Sequence, residues 1–112
     1  MWIVSTKGFF SIVFKNGAYQ VRARELLDIQ NACSMLNIPR SEIVDNEGTD
    51  YAYRIKVDVD QVRYLLLALS ETVDYSNFKD AVKHTPGQDH KVGALMQIWS
   101  IFLKFQDKGR WW

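Results

Sequence analysis

One cysteine, Cys33, and two histidines, His84 and His90, are the residue types from which thiol catalysis or a zinc site would be built. Their spacing supports neither. Cys33 sits on the apolar stripe of a helix, where a free thiol serves as a small core residue, and the histidines flank the break His84-Thr85-Pro86-Gly87. There is no CxxC and no HExxH. Glu42, Asp45, Glu47 and Asp50 crowd four carboxylates into nine residues. A calcium loop needs oxygen ligands at alternate positions, a glycine sixth and a glutamate twelfth. Here Gly48 is fourth counting from Asp45, so a solvated turn accounts better for these acids. Gly8, Gly17, Gly48, Gly87, Gly93 and Gly109 are scattered, and none forms a loop that would cradle a phosphate. No cofactor or metal is expected.

The elements that must carry any remaining chemistry follow from periodicity. Phe9 to Phe14 is rich in strand formers and runs into Asn16-Gly17, the pair that tolerates positive φ at both centres of a type I′ turn. A second strand, Ala18 to Ala23, puts Tyr19, Val21 and Ala23 on one face and Gln20 and Arg22 on the other. Trp2 to Val4 extends or precedes the first strand. From Glu25 to Asn37 the period becomes helical through Leu26, Ile29, Cys33 and Leu36, and Pro39 helps close that helix. Strands are expected at Glu42 to Val44 and Tyr51 to Val57, the latter with Tyr51, Tyr53, Ile55 and Val57 facing the core. Asp58 and Gln61 have capping-box spacing, and Val62, Leu65, Leu66, Leu69 and Val73 form the stripe of the following helix. A short helix within Asp74 to Lys83 precedes a last one from Asp89 to Phe105, with Val92, Leu95, Met96, Trp99, Phe102 and Leu103 as its stripe.

Ala18-Tyr19-Gln20-Val21-Arg22-Ala23 resembles Ala52-Tyr53-Arg54-Ile55-Lys56-Val57, and each segment follows a turn and precedes a helix. The fold class expected is therefore α+β. Two ββα units would form a four-stranded antiparallel sheet with helices packed on one face, related by permutation to the ferredoxin-like fold, plus a C-terminal helix. Residues 1–88 would be the core, 89–106 the C-terminal helix and 107–112 a tail, all in one domain. At 112 residues the chain should bury roughly 65% of its unfolded surface, enough to fold without disulfides or a metal. An unpaired cysteine favours a reducing compartment, so a cytoplasmic location is expected. No apolar run reaches the roughly 18 residues of a membrane span, and the opening one breaks too early for a signal peptide.

The 14 Lys and Arg against 13 Asp and Glu leave a formal charge of +1, which speaks against a dominant polyanion surface but not against a local one. If the two similar strands are neighbours, Gln20, Arg22, Arg54 and Lys56 form a basic stripe on the wet face. Nucleic-acid-binding sheets add exposed aromatics to such charge, whereas Tyr19, Tyr51 and Tyr53 are expected on the core side. Arg22, Arg54, Lys56 and Lys79, with Lys83, are the candidates for that activity. The aromatic residues exceed what two small helices obviously cover, which marks Trp99, Phe105, Trp111 and Trp112 as candidates for contact with a protein partner; the alternative is core packing under the last helix, which is the reading favoured for Trp99. Asp50, Tyr53, Asp74 and Asn77 could form a polar cluster if the second unit folds back on itself.

Met1-Trp2-Ile3-Val4-Ser5-Thr6-Lys7-Gly8-Phe9-Phe10-Ser11, Val21-Arg22-Ala23-Arg24, Gly48-Thr49-Asp50-Tyr51-Ala52-Tyr53-Arg54, Asp74-Tyr75-Ser76-Asn77-Phe78-Lys79 and Trp99-Ser100 resemble a family of small uncharacterised bacterial and phage proteins. The resemblance spans nearly the whole chain. It implies a single domain and carries no activity with it. The expected function is a non-enzymatic protein-interaction or self-associating module. A nucleic-acid-associated protein using the basic sheet face is the alternative, and an enzyme using Asp50, Tyr53, Arg54 and Asp74 is a third class.

Overall fold

The computed structural model describes residues 1–106, which divide into two compact units, one of Met1–Asp74 and one beginning at Tyr75. Trp111 and Trp112, expected to contact a protein partner, lie outside the described residues.

The first unit is a five-stranded antiparallel sheet in the order β1-β2-β3-β5-β4. Its strands are β1 (Trp2–Ser5), β2 (Gly8–Lys15), β3 (Ala18–Ala23), β4 (Val44–Asp45) and β5 (Tyr53–Val57). The strand count is five rather than four, because residues 2–5 fold back on β2 as a strand of their own. Gly8 makes that reversal possible with φ +139°, a conformation that side chains rarely adopt. Between β2 and β3, Asn16 (φ 54°) and Gly17 (φ 76°) make the expected turn with positive φ at both centres.

Helix α1 (Leu26–Leu36) and helix α2 (Val59–Ser70) share one core with the sheet. Phe10, Ile12, Val21, Ala23, Ile55 and Val57 supply the sheet side, Ile29, Ala32 and Cys33 come from α1, and Leu65 and Leu69 from α2. Burying that many apolar side chains, at about 1.5–3 kcal/mol each, is the main force holding the layers together. Helix α1 ends in left-handed Asn37 (φ 55°), with Ile38 N–H donating to the Cys33 carbonyl at 2.9 Å in a Schellman-type closure. Helix α2 begins with a complete capping box: Gln61 N–H donates to Asp58, and Asp58 N–H to Gln61, each at 2.8 Å.

Three local expectations change. After Pro39, residues Arg40–Glu42 form a 3-10 turn closed by Glu42 N–H to the Pro39 carbonyl at 3.0 Å, so β4 is confined to two residues. Val73 lies beyond the end of α2 and is exposed rather than part of its buried stripe. Tyr51 precedes β5 and leaves the core face altogether, as described below.

The second unit holds α3 (Phe78–Lys83), capped by Asn77 accepting from Asp80 N–H at 3.0 Å, and then a 3-10 turn over Asp89–Lys91. Helix α4 (Val92–Leu103) follows directly, so the expected helix of residues 89–106 is shorter at both ends, and Trp99 is exposed rather than packed in a core. No helix among the described residues is long and apolar enough to cross a membrane.

Candidate functional site

Strand register assembles one continuous row across the face of the sheet opposite the helices. Trp2 pairs with Ser11, Ser11 with Arg22, Arg22 with Arg54, and Arg54 with Val44. Alternation puts Val13, Gln20 and Lys56 in the adjacent row of the same face. The two similar strands are thus neighbours, and the basic stripe of Gln20, Arg22, Arg54 and Lys56 is brought together.

The aromatic partners are not where alternation along β5 would place them. Tyr51, only 3% exposed, lies over the arginine face, with the Arg22 guanidinium 4.4 Å and the Arg24 guanidinium 4.6 Å from its ring centre. Phe9 stands beside it at 6.4 Å between ring centres, and Trp2 meets Phe9 edge-on at 5.9 Å. The reason is local. Period-two alternation holds only inside a hydrogen-bonded ladder, and the ladder of β5 starts at Tyr53.

The turn that carries Tyr51 is held down by the arginines it covers. Arg54 donates to the Thr49 hydroxyl at 2.9 Å and to the Tyr51 carbonyl at 3.0 Å, and Arg24 donates to the Asp50 carbonyl at 3.0 Å. Within the turn, Gly48 N–H donates to the Asn46 side chain at 3.2 Å, and the Thr49 hydroxyl donates to the Asn46 and Tyr51 carbonyls. The acids Glu42, Asp45, Glu47 and Asp50 are all exposed, as a solvated turn requires.

Arg22 donates to the Ser11 hydroxyl at 2.7 Å. Arg22, Arg24 and Arg54 make contacts to hydroxyls, backbone carbonyls and ring faces. Among the described residues, the Nε atoms of Arg22 and Arg54 and the Oε1 of Gln20 are buried without a hydrogen-bond partner. Leaving a buried polar group unpaired costs roughly 1–3 kcal/mol. The face therefore concentrates positive charge and unused hydrogen-bonding capacity.

Other candidate residues fall elsewhere. Tyr53 packs against the core, whereas the Asp50 carbonyl holds Arg24 on the opposite face, so these two members of the polar cluster do not share a surface. Asn77 is engaged in capping α3, and Asp74 is exposed. Lys79 belongs to the second unit, with its ammonium 4.9 Å from the Trp99 ring centre; Lys83 is exposed on α3. Cys33 is buried in the core, and burial pushes its thiol above the ordinary value, with Arg40 opposing and Glu42 reinforcing that shift. Such a thiol stays protonated and unreactive. Among the described residues no group of His, Cys, Asp and Glu could hold a metal ion.

Helix α4 is the second unusual surface. Its twelve residues include no charged side chain, and none is buried. Met96, Ile98, Trp99, Ile101 and Phe102 on the helix, with Phe105 just beyond it, are exposed, Trp99 at 54% and Phe102 at 63%. Phe102 and Phe105 lie against each other at 5.6 Å. A cleft lined by Met35, Leu36, Asn37, Asp58, Asp60, Gln61 and Tyr64 is open to solvent, and its acids are engaged, Asp58 with Gln61 in the cap and Asp60 in an ion pair with Arg63 at 3.3 Å.

Sequence reasoning missed Asp28, a carboxylate 2% exposed in α1 that accepts from Phe9 N–H at 3.1 Å and packs on Gly8. It also missed Arg24 and Phe9 as neighbours of Tyr51. The one available signal was the quoted segments themselves: Gly8 to Ser11, Val21 to Arg24 and Gly48 to Arg54 converge on this single patch. Comparison with protein-family models, with curated proteins and with solved structures found no match to the chain.

Proposed function

We propose that this protein is a non-enzymatic interaction module that associates with a second copy of itself through α4. The observation that carries this reading is an uncharged helix whose large apolar side chains face solvent. A helix apolar all round is normally covered by something, and at twelve residues this one is too short to span a bilayer.

A second copy fits for two reasons. With no charge between Val92 and Leu103, two such helices meet without like-charge repulsion. The area is also adequate. Large apolar side chains bury on the order of 150–250 Å² each, so six that are about half exposed offer roughly 600 Å² per copy. Two copies would then bury roughly 1,200 Å², the lower end of the range for specific stable interfaces.

Light scattering on the full chain over a range of concentrations tests this. A dimer is expected, and Ile98→Glu or the pair Trp99→Ala and Phe102→Ala should convert it to a monomer that keeps the far-UV circular dichroism of the native chain and whose unfolding midpoint no longer rises with protein concentration. A monomer at every concentration up to about 100 μM, well above the Kd of a standard interface, would overturn the reading. So would binding of the monomer to neutral vesicles that the same substitutions abolish, which would assign α4 to a lipid surface.

A further inference from the structure

We infer that the sheet face carrying Trp2, Ser11, Arg22 and Arg54 is a binding site for single-stranded nucleic acid. This goes beyond the role proposed for α4 and rests on different residues.

The first support is charge. Arg22 and Arg54 are direct cross-strand partners, an arrangement that like charges normally disfavour. Lys56, two residues along β5 from Arg54, adds a cation in the adjacent row of the same face, and Arg24 follows just past the end of β3. The hydrogen bonds that Arg22, Arg24 and Arg54 make among the described residues include ones to hydroxyls and backbone carbonyls, which leave the guanidinium charge in place. A ligand bringing phosphates would offer this row of cations the negative charge that guanidinium and ammonium groups bind best.

The second support is the aromatic end of the row. Trp2 is 72% exposed, on the same face as the arginines and braced edge-on by Phe9. An indole this exposed offers ring surface for a base to stack on, the usual partner of a basic groove in proteins that bind single strands. Tyr51 plays a different part. It is buried between Arg22 and Arg24, so it spaces the two guanidinium groups rather than offering a stacking face.

The dimensions agree. Three strand-to-strand steps of about 4.8 Å separate β1 from β5, so Trp2 and Arg54 lie roughly 14 Å apart along the row. That length spans about four nucleotides or fewer at the 3.4 Å per residue of a stacked strand. A duplex hides its base faces and would present only phosphates to this surface; the exposed indole therefore favours an unpaired strand.

Fluorescence anisotropy of the full chain with a labelled oligo(dT) 12-mer tests the inference, alongside the same length of duplex and with inorganic phosphate as competitor. Single-strand binding is expected at low salt, with log K falling against log salt at a slope of about −2 for three phosphate contacts, from Arg22, Arg54 and Lys56. Lys56→Gln should reduce the slope to about −1.4. Trp2→Ala should weaken binding by about fivefold or more without changing the slope. Both side chains are exposed, so these variants remain informative where Arg22→Gln or Arg54→Gln loosens the turn over the sheet. Absence of binding at low salt would overturn the site. Equal affinity for duplex and single strand with Trp2→Ala silent, or full displacement by inorganic phosphate at the same concentration as unlabelled oligo(dT), would overturn it as well. An Ile98→Glu monomer that still binds would show that the sheet site stands independently of α4.

Discussion

Arg22 and Arg54 face each other directly across β3 and β5, and they hydrogen-bond to a serine, a threonine and a backbone carbonyl. Two cations in register on one face repel, and the surrounding residues offset that cost by holding each guanidinium separately. Ser11 takes Arg22 and Thr49 takes Arg54. The Tyr51 ring then fills the space beside Arg22.

That pair should make stability depend on ionic strength. Raising salt from about 10 mM to about 150 mM shortens the screening length to about 8 Å and weakens the repulsion, so the thermal midpoint should rise. The gain expected is about 0.5 kcal/mol, within the range of cross-strand pairs. In Arg54→Gln the salt dependence should shrink by most of that amount. Unchanged dependence in the variant would show that the pair is already neutralised.

Gly8 should tolerate no side chain. A Cβ added there would fall on the Asp28 carboxylate, and the φ of +139° is itself strained for any other residue. Gly8→Ala should cost about 2 kcal/mol or more in urea unfolding. Adding Asp28→Ala should recover only part of the loss, because the collision disappears while the backbone strain persists and the Phe9 N–H loses its acceptor. Full recovery would mean that the collision alone sets the cost.

Stability should fall in alkali on account of Cys33. Burial raises its thiol pKa in the folded state, so as pH climbs past about 8.5, where an exposed thiol ionises, the unfolded chain loses its proton first. The contribution is complete below that value and is lost as pH approaches the folded pKa. Cys33→Ala should flatten the decline between pH 8 and pH 10, read by urea midpoints at each pH. The native thiol should also resist alkylation at neutral pH, reacting only as fast as the chain opens.

Much of the first unit was legible in the residues because its determinants are local. Asn16-Gly17 specifies its turn through the φ values those two residues accept, and Asp58 with Gln61 closes a cap within one helical turn. The alternation of Tyr19, Val21 and Ala23 against Gln20 and Arg22 assigns faces within β3 for the same reason. Strand β1 was harder to read, since a separate strand depends on a reversal at Gly8 that Asp28, twenty residues later, completes.

Residue spacing alone therefore determined the hairpin of β2 and β3, helices α1 and α2 with most of their buried faces, and the possibility of a basic stripe. Tertiary structure decided that β3 and β5 are neighbours in the register that sets Arg22 against Arg54, and that Tyr51 turns from the core to the arginines. Both outcomes depend on groups distant in the chain. Strand register is chosen by the packing of the whole core face, and the direction of a residue outside the ladder is chosen by whichever contacts a loop can reach. No local period encodes either one.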